Sequence, residues 1–292
     1  MGFLNALFGG KQLSAEEEKQ EQEARKFDLL KYDGVKAMKM GQGDYAVRCF
    51  TEALKIQDDL EVHDYLSQVL LQQGNLDAAV AELRTLAEAE PENAQIWIRM
   101  AQVAYMQEDY AAMDEACEQA MKLEPESALV YFLSAQARLG RQDVVNAIAV
   151  LTKAVALRDD YADAYLLRAQ TLLKMGDTAS AAADAEWLTD HVGDHEEVLL
   201  LNARVEAAKG HADEAITIYN KVIEVNPFSI DAFRERGQLK FNTGDKAGAE
   251  QDMQMVLELD PQQLADVNGE YSAEGIEQRV RQAYSAVNPL GL

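Results

Sequence analysis

Five glutamines, Gln68, Gln102, Gln136, Gln170 and Gln238, stand 34 residues apart or twice that. A carboxamide both donates and accepts hydrogen bonds, so a row of them suits the backbone of an extended peptide whatever its side chains. Three residues after each comes an apolar side chain: Leu71, Tyr105, Leu139, Leu173 and Phe241. Apolar pockets along such a row would supply selectivity. The other reactive side chains form no catalytic set. There is no GxSxG, HExxH, Walker loop, GxGxxG, CxxC or EF-hand loop. His191 and His195, with Asp190 and Asp194 beside them, offer donors of the kind zinc takes. Gly193 between them interrupts the helix that would align the two imidazoles, so the stretch reads as a solvated turn. Acidic pairs such as Asp58-Asp59 and Asp159-Asp160 fall at helix ends, where carboxylates are ordinary. No enzyme activity, metal or cofactor is expected.

The elements that carry this row repeat. In Ala94–Ser127, Trp97, Met100, Ala101 and Ala104 form one helical stripe; Met113, Cys117, Ala120 and Met121 form a second. Glu108-Asp109-Tyr110 separates them, and Pro125, which lacks an amide proton, closes the pair. Copies begin at Phe27, Leu60, Ala94, Ala128, Ala162, Glu196 and Ile230. The eighth place of each is small: Gly34, Ser67, Ala101, Ala135, Ala169, Ala203, Gly237. At the twentieth, six of seven are alanine, Met113 being the exception. Small residues at paired places let two helices cross closely. One hairpin cannot bury both faces, so hairpins must stack.

This pattern resembles the tetratricopeptide repeat family over roughly Phe27–Gln263, with Trp97, Ala101, Tyr110, Ala120 and Pro125 in one copy and Phe233, Gly237, Gly244-Asp245, Ala249 and Pro261 in another. The resemblance implies an all-α, right-handed superhelical solenoid of about seven hairpins, with the first helices lining a concave groove. It places Gln68, Leu71, Gln102, Tyr105, Gln136, Leu139, Gln170, Leu173, Gln238 and Phe241 on that groove as peptide-binding residues. It also gathers Lys174, Arg204 and Arg234 at the groove's C-terminal end, where they could hold a partner's carboxylate. The family's clamp for chaperone C-termini uses Lys and Asn on first helices; Lys31 is present, but Val35 stands where the Asn belongs, so that function is not carried over. Arg168, Asn202, Arg236, Arg138 and Glu206 depart from the pattern at places that should be apolar, and are expected to snorkel to water.

The chain divides into an apolar start and charged lead-in (1–26), the repeats (27–263) and a closing segment (264–292). Lys and Arg number 27 against 51 Asp and Glu, a formal charge of −24. That disfavours nucleic acid and anionic membranes as partners. Cys49 and Cys117 read as buried hydrophobes, consistent with a reducing, cytoplasmic setting. Phe3, Leu4, Leu7 and Phe8 form a short stripe before Gly9-Gly10. It could cover the open end of the first repeat, act as a small anchor, or be loose. Ser14 and Glu17 make a capping box that opens the lead-in helix. Ser272–Val287 has one apolar side (Ile276, Val280, Ala283, Tyr284) and reads as a closing helix. Two functions follow: a scaffold binding an extended segment of an unidentified protein or peptide, or an assembly subunit that self-associates or sits peripherally at a membrane through its N-terminal stripe.

Overall fold

A computed structural model describes residues 14–260. The N-terminal stripe and the closing segment lie outside the described residues. Among those described, fourteen helices pair into seven hairpins: α1 (Ala15–Lys39) with α2 (Gly43–Leu54), α3 (Leu60–Gln72) with α4 (Leu76–Ala89), and α5 (Ala94–Met106) with α6 (Tyr110–Leu123). Then come α7 (Ala128–Gly140) with α8 (Val144–Leu157), α9 (Ala162–Lys174) with α10 (Thr178–His191), α11 (Glu196–Ala208) with α12 (Ala212–Val225), and α13 (Ile230–Thr243) with α14 (Lys246–Leu259). The fold is all-α, hairpin stacked on hairpin as in a tetratricopeptide solenoid.

Two compact units result. The first holds residues up to Glu126 together with Gln136–Arg141; the second holds Ser127–Ala135 and everything from Gln142 onward. Within the first unit α2 packs on α3 and α4 on α5; within the second, α8 packs on α9, α10 on α11 and α12 on α13. First helices also meet one another, α1 with α3 and α9 with α11.

The small residues do the work their spacing implies. Ser67, Ala101, Ala135, Ala169 and Ala203 are fully buried, as are Ala46, Ala79, Met113, Ala147, Ala181, Ala215 and Ala249. A Cβ built on Gly34 would stand 2.5 Å from the buried Phe50 ring, so that crossing admits no side chain at all. Each hairpin turns through one left-handed residue at its fifteenth place. Five of these are glycine, but Glu108 (φ 56°) and Gln142 (φ 61°) hold the same conformation with a side chain. The next residue caps the second helix: Asp109, Asp143, Asp177 and Asp245 each accept a hydrogen bond from the backbone N–H three residues on.

The lead-in is part of α1, which runs unbroken for 25 residues from the Ser14–Glu17 capping box. Cys49 and Cys117 are both buried and free, and burial pushes the Cys117 thiol up to about 12.

The expectation that long polar residues snorkel is corrected. Arg168 turns inward and binds both oxygens of the buried Asp184, and Arg236 does the same with Asp252. Arg138 approaches Asp114 at 3.9 Å, Asn202 donates to Thr189 Oγ1, and Glu206 holds Lys209 and His211. A guanidinium in a helix crossing is better satisfied by a fixed carboxylate at hydrogen-bond range than by bending its stem to solvent.

Candidate functional site

The first unit holds the first helices α1, α3 and α5 and the end of α7. Gln102 is exposed and Gln136 half-buried, and among the described residues neither side chain has a hydrogen-bond partner. Their amides keep unused hydrogen-bonding capacity. Gln68 differs: its Nε2 donates to Asp64 Oδ2 at 2.8 Å, and Asp64 Oδ1 in turn holds Arg99 at 2.6 Å. That chain fixes Gln68 in place and leaves its carbonyl oxygen as the free acceptor.

Beside the amides, Tyr105 is 45% exposed and sets its ring edge-on to Tyr110, with centroids 6.4 Å apart. Leu71 and Leu139 are half-buried, Leu71 backed by the cores that hold Val69 and Leu83. Met106, next to Tyr105, is 57% exposed. Between the α1–α2 turn, the start of α2 and the C-terminal end of α3 lies a cleft of about 620 Å³ lined by Met38, Gln42, Tyr45, Arg48, Val69, Gln72 and Gln73, among others. Gln73 donates to Asp44 at 2.7 Å, whereas Gln42 and Gln72 have no side-chain partner among the described residues.

Lys31, Asp64 and Arg99 are paired internally. Lys31 bonds Asp59 at 3.0 Å and Glu61 at 2.6 Å. Burial alone would lower the Lys31 pKa, but its bonds to Glu61 and Asp59 outweigh that and raise it. The same contacts hold the Glu61 carboxyl below its usual range.

In the second unit Gln170 is half-buried with an unpartnered amide. Leu173, at 5% exposure, belongs to the core, and Gln238, at 6%, donates to Asn242 Oδ1. Neither can reach a ligand without repacking. Phe241 is half-buried against the last core cluster. The three cations predicted as an anion site are not equivalent. Arg204 lays Nε and Nη2 on the buried Glu235 and reaches Asp231 at 3.4 Å. Glu235 also accepts from the buried Tyr219 hydroxyl at 2.7 Å. Arg234 bonds Asp231 at 2.9 Å, and Lys174 is exposed without an ion pair among the described residues. A partner's carboxylate would have to displace Glu235 and Asp231 to reach the two arginines.

The carboxylates Asp64 and Glu235, and the glutamines Gln42 and Gln72, escaped the sequence reading, and Asp59 was read only as an ordinary helix-end carboxylate. Asp64 and Glu235 sit on first helices one turn before a row glutamine or beside a departure from the pattern, which was the available signal.

Hairpins crossing on small residues and in-phase left-handed turns define a tetratricopeptide repeat protein. The chain belongs to the ETO1 C-terminal domain family, whose profile matches residues 18–210, and a tetratricopeptide repeat profile matches 200–263. No curated protein matches it. Among solved structures it is similar to a tetratricopeptide repeat protein of Parabacteroides merdae, at 14% identity and a TM-score of 0.67 over 89% of this chain and 99% of that one. It is also similar to PilF of Pseudomonas aeruginosa, at 19% identity and a TM-score of 0.55 over 70% and 94%. A third is YrrB, described as a tetratricopeptide protein with an unusual peptide-binding site, at 16% identity and a TM-score of 0.53 over 68% and 97%. No described helix is long and apolar enough to cross a membrane.

Proposed function

We propose that the protein is a non-catalytic scaffold in the cytoplasm, and that the first-unit face built around Gln102, Tyr105 and Gln136 binds an extended, unstructured segment of a protein partner. The observation that carries this reading is the pairing state of the face. Gln102 and Gln136 keep unpartnered amides, while Lys31 is held by Asp59 and Glu61, and Asp64 and Arg99 hold each other. A surface so arranged reads peptide backbone through the amides and apolar side chains through Tyr105, Met106 and the Met38 cleft. YrrB's peptide-binding site, on the same fold, is consistent with it. Each hydrogen bond nets about 1 kcal/mol, so a few of them with one or two buried apolar side chains support roughly micromolar affinity after ordering costs.

The test is a displayed library of random 16-residue peptides selected on the full chain, then re-selected on a Gln102→Ala/Gln136→Ala variant of unchanged helicity. Enrichment on the parent that collapses on the variant supports the reading. Equal enrichment on both, or none on the parent, rejects it.

A further inference from the structure

Comparison of the repeats with each other exposes one helix face that lacks its counterpart. The third residue of a first helix is apolar in every repeat. In the first unit Val62 shares a core with Phe50 and Ala53 of the preceding second helix, and Ile96 with Leu83, Leu86 and Ala87. In the second unit Val198 meets Ala185 and Leu188 in the same way. Val62, Ile96, Val130, Ala164, Val198 and Ala232 are all at most 4% exposed. The residue at that place in α1 is Leu29, which is 60% exposed, and Tyr32, one turn on, is 66% exposed. Among the described residues no helix precedes α1 to cover them.

The charges flanking this patch say what fits it. Steps of three and four carry the same face of α1 back through Arg25 to Glu21 and Glu18, and forward to Lys36 and Lys39, all of them exposed. Ahead of Ala24, five of the six charged residues of α1 are acidic; from Arg25 on, five of seven are basic, in a chain whose net charge is −24. Among the described residues Glu18, Lys36 and Lys39 have no ion pair, and Glu21 is bonded to Arg25 one turn on. A helix lying on Leu29 and Tyr32 antiparallel to α1 would therefore need an acidic N-terminal half and a basic C-terminal half. The α1 helix itself has that charge order. We propose that a second copy of this chain covers the patch, its α1 antiparallel to the first about a two-fold axis at Leu29.

The register agrees. At 1.5 Å per residue, Glu21 and Glu18 lie about 12 and 16 Å before Leu29 along α1, and Lys36 and Lys39 about 10 and 15 Å after it. The reversed copy thus sets Lys36 against Glu21 and Lys39 against Glu18 at both ends of the pair, with the Leu29 and Tyr32 side chains of both copies between them. Parallel pairing would oppose like charges along the whole helix instead. Residues 15–26 of α1 are exposed throughout, which leaves room for a helix alongside. One helix per copy is a small interface, so the dimer forms as concentration rises rather than permanently.

Sedimentation of the full chain from low to high micromolar concentration decides it. The parent should pass from monomer to dimer, and added salt should weaken the dimer. Leu29→Glu/Tyr32→Glu, of unchanged helicity, should stay monomeric. Two charge variants test the register. Glu18→Lys/Glu21→Lys and Lys36→Glu/Lys39→Glu should each self-associate at least about tenfold more weakly than the parent. Mixed in equal amounts, they should pair with each other as tightly as the parent pairs with itself. A parent that stays monomeric throughout overturns the proposal. So does a dimer that survives the Leu29 and Tyr32 changes or tightens with salt, and so does failure of the two charge variants to pair when mixed.

Discussion

Arg168 and Asp184, sixteen residues apart on the two helices of one hairpin, meet with Nε 2.8 Å from Oδ2 and Nη2 2.6 Å from Oδ1. Arg236 and Asp252 reproduce the arrangement at the same spacing two hairpins later. Asp184 is 5% exposed, so the pair lies inside the helix crossing. Removing one partner of such a pair strands the other, which typically costs about 3–5 kcal/mol, whereas replacing both with apolar groups is often neutral. Urea unfolding of Asp184→Ala should therefore show a loss near the lower end of that range, since Arg168 keeps some contact with water. The double change Arg168→Leu/Asp184→Leu should recover most of it. Equal losses from the single and double variants would mean the carboxylate is not what stabilises the crossing.

His63 lies between two carboxylates, with Nε2 2.7 Å from Asp58 Oδ1 and Nδ1 against Glu82 Oε2. Burial by itself would lower its pKa, but the bonds to Glu82 and Asp58 outweigh that and raise it above the ordinary 6.5. A pKa raised by folding contributes stability in full below 6.5 and loses it as pH rises through the folded value. Denaturation midpoints should therefore fall between pH 6 and pH 8.5. His63→Gln should be less stable than the parent at pH 6 and should flatten that dependence. The carboxylates held low by pairing, Asp59 and Glu61, act only at more acid pH and leave this window clear.

At Glu108 the left-handed turn is held by a residue with a Cβ, where five other hairpins use glycine. A left-handed L-residue costs about 1–2 kcal/mol, partly offset by the larger chain entropy glycine loses on folding. Glu108→Gly should thus raise stability by up to about 1 kcal/mol, read from the denaturation midpoint. A decrease would show that the side chain makes a stabilising contact at the turn.

Gly34→Ala tests the helix crossing from the other side. The added methyl would stand 2.5–2.9 Å from three atoms of the Phe50 ring, which is itself fully buried. Overpacking of this kind typically costs about 1–3 kcal/mol. Gly34→Ala combined with Phe50→Leu should lose less than the two single changes summed.

The repeat architecture was legible because it is written seven times. Small residues at the eighth and twentieth places, breaks at the fifteenth and the Ser14–Glu17 box each dictate local structure through backbone sterics or a single hydrogen bond. Pairing across helices was not legible. Arg168 reads as an error in an apolar stripe until the crossing brings Asp184 beside it. The amide row shows the same division. Its spacing is visible in the sequence, but whether a given glutamine is open depends on its neighbours: Asp64 tethers Gln68, local packing covers Gln238 and Leu173, and Gln102 and Gln136 stay unpartnered.

The central claim is that these open amides contact a peptide backbone. Its most direct test is a fluorescence anisotropy titration of one library-selected peptide against the parent chain and Gln102→Ala/Gln136→Ala. Loss of two net hydrogen bonds of about 1 kcal/mol each predicts a Kd roughly 30-fold weaker, with binding otherwise saturable. A Kd unchanged within twofold would contradict the account.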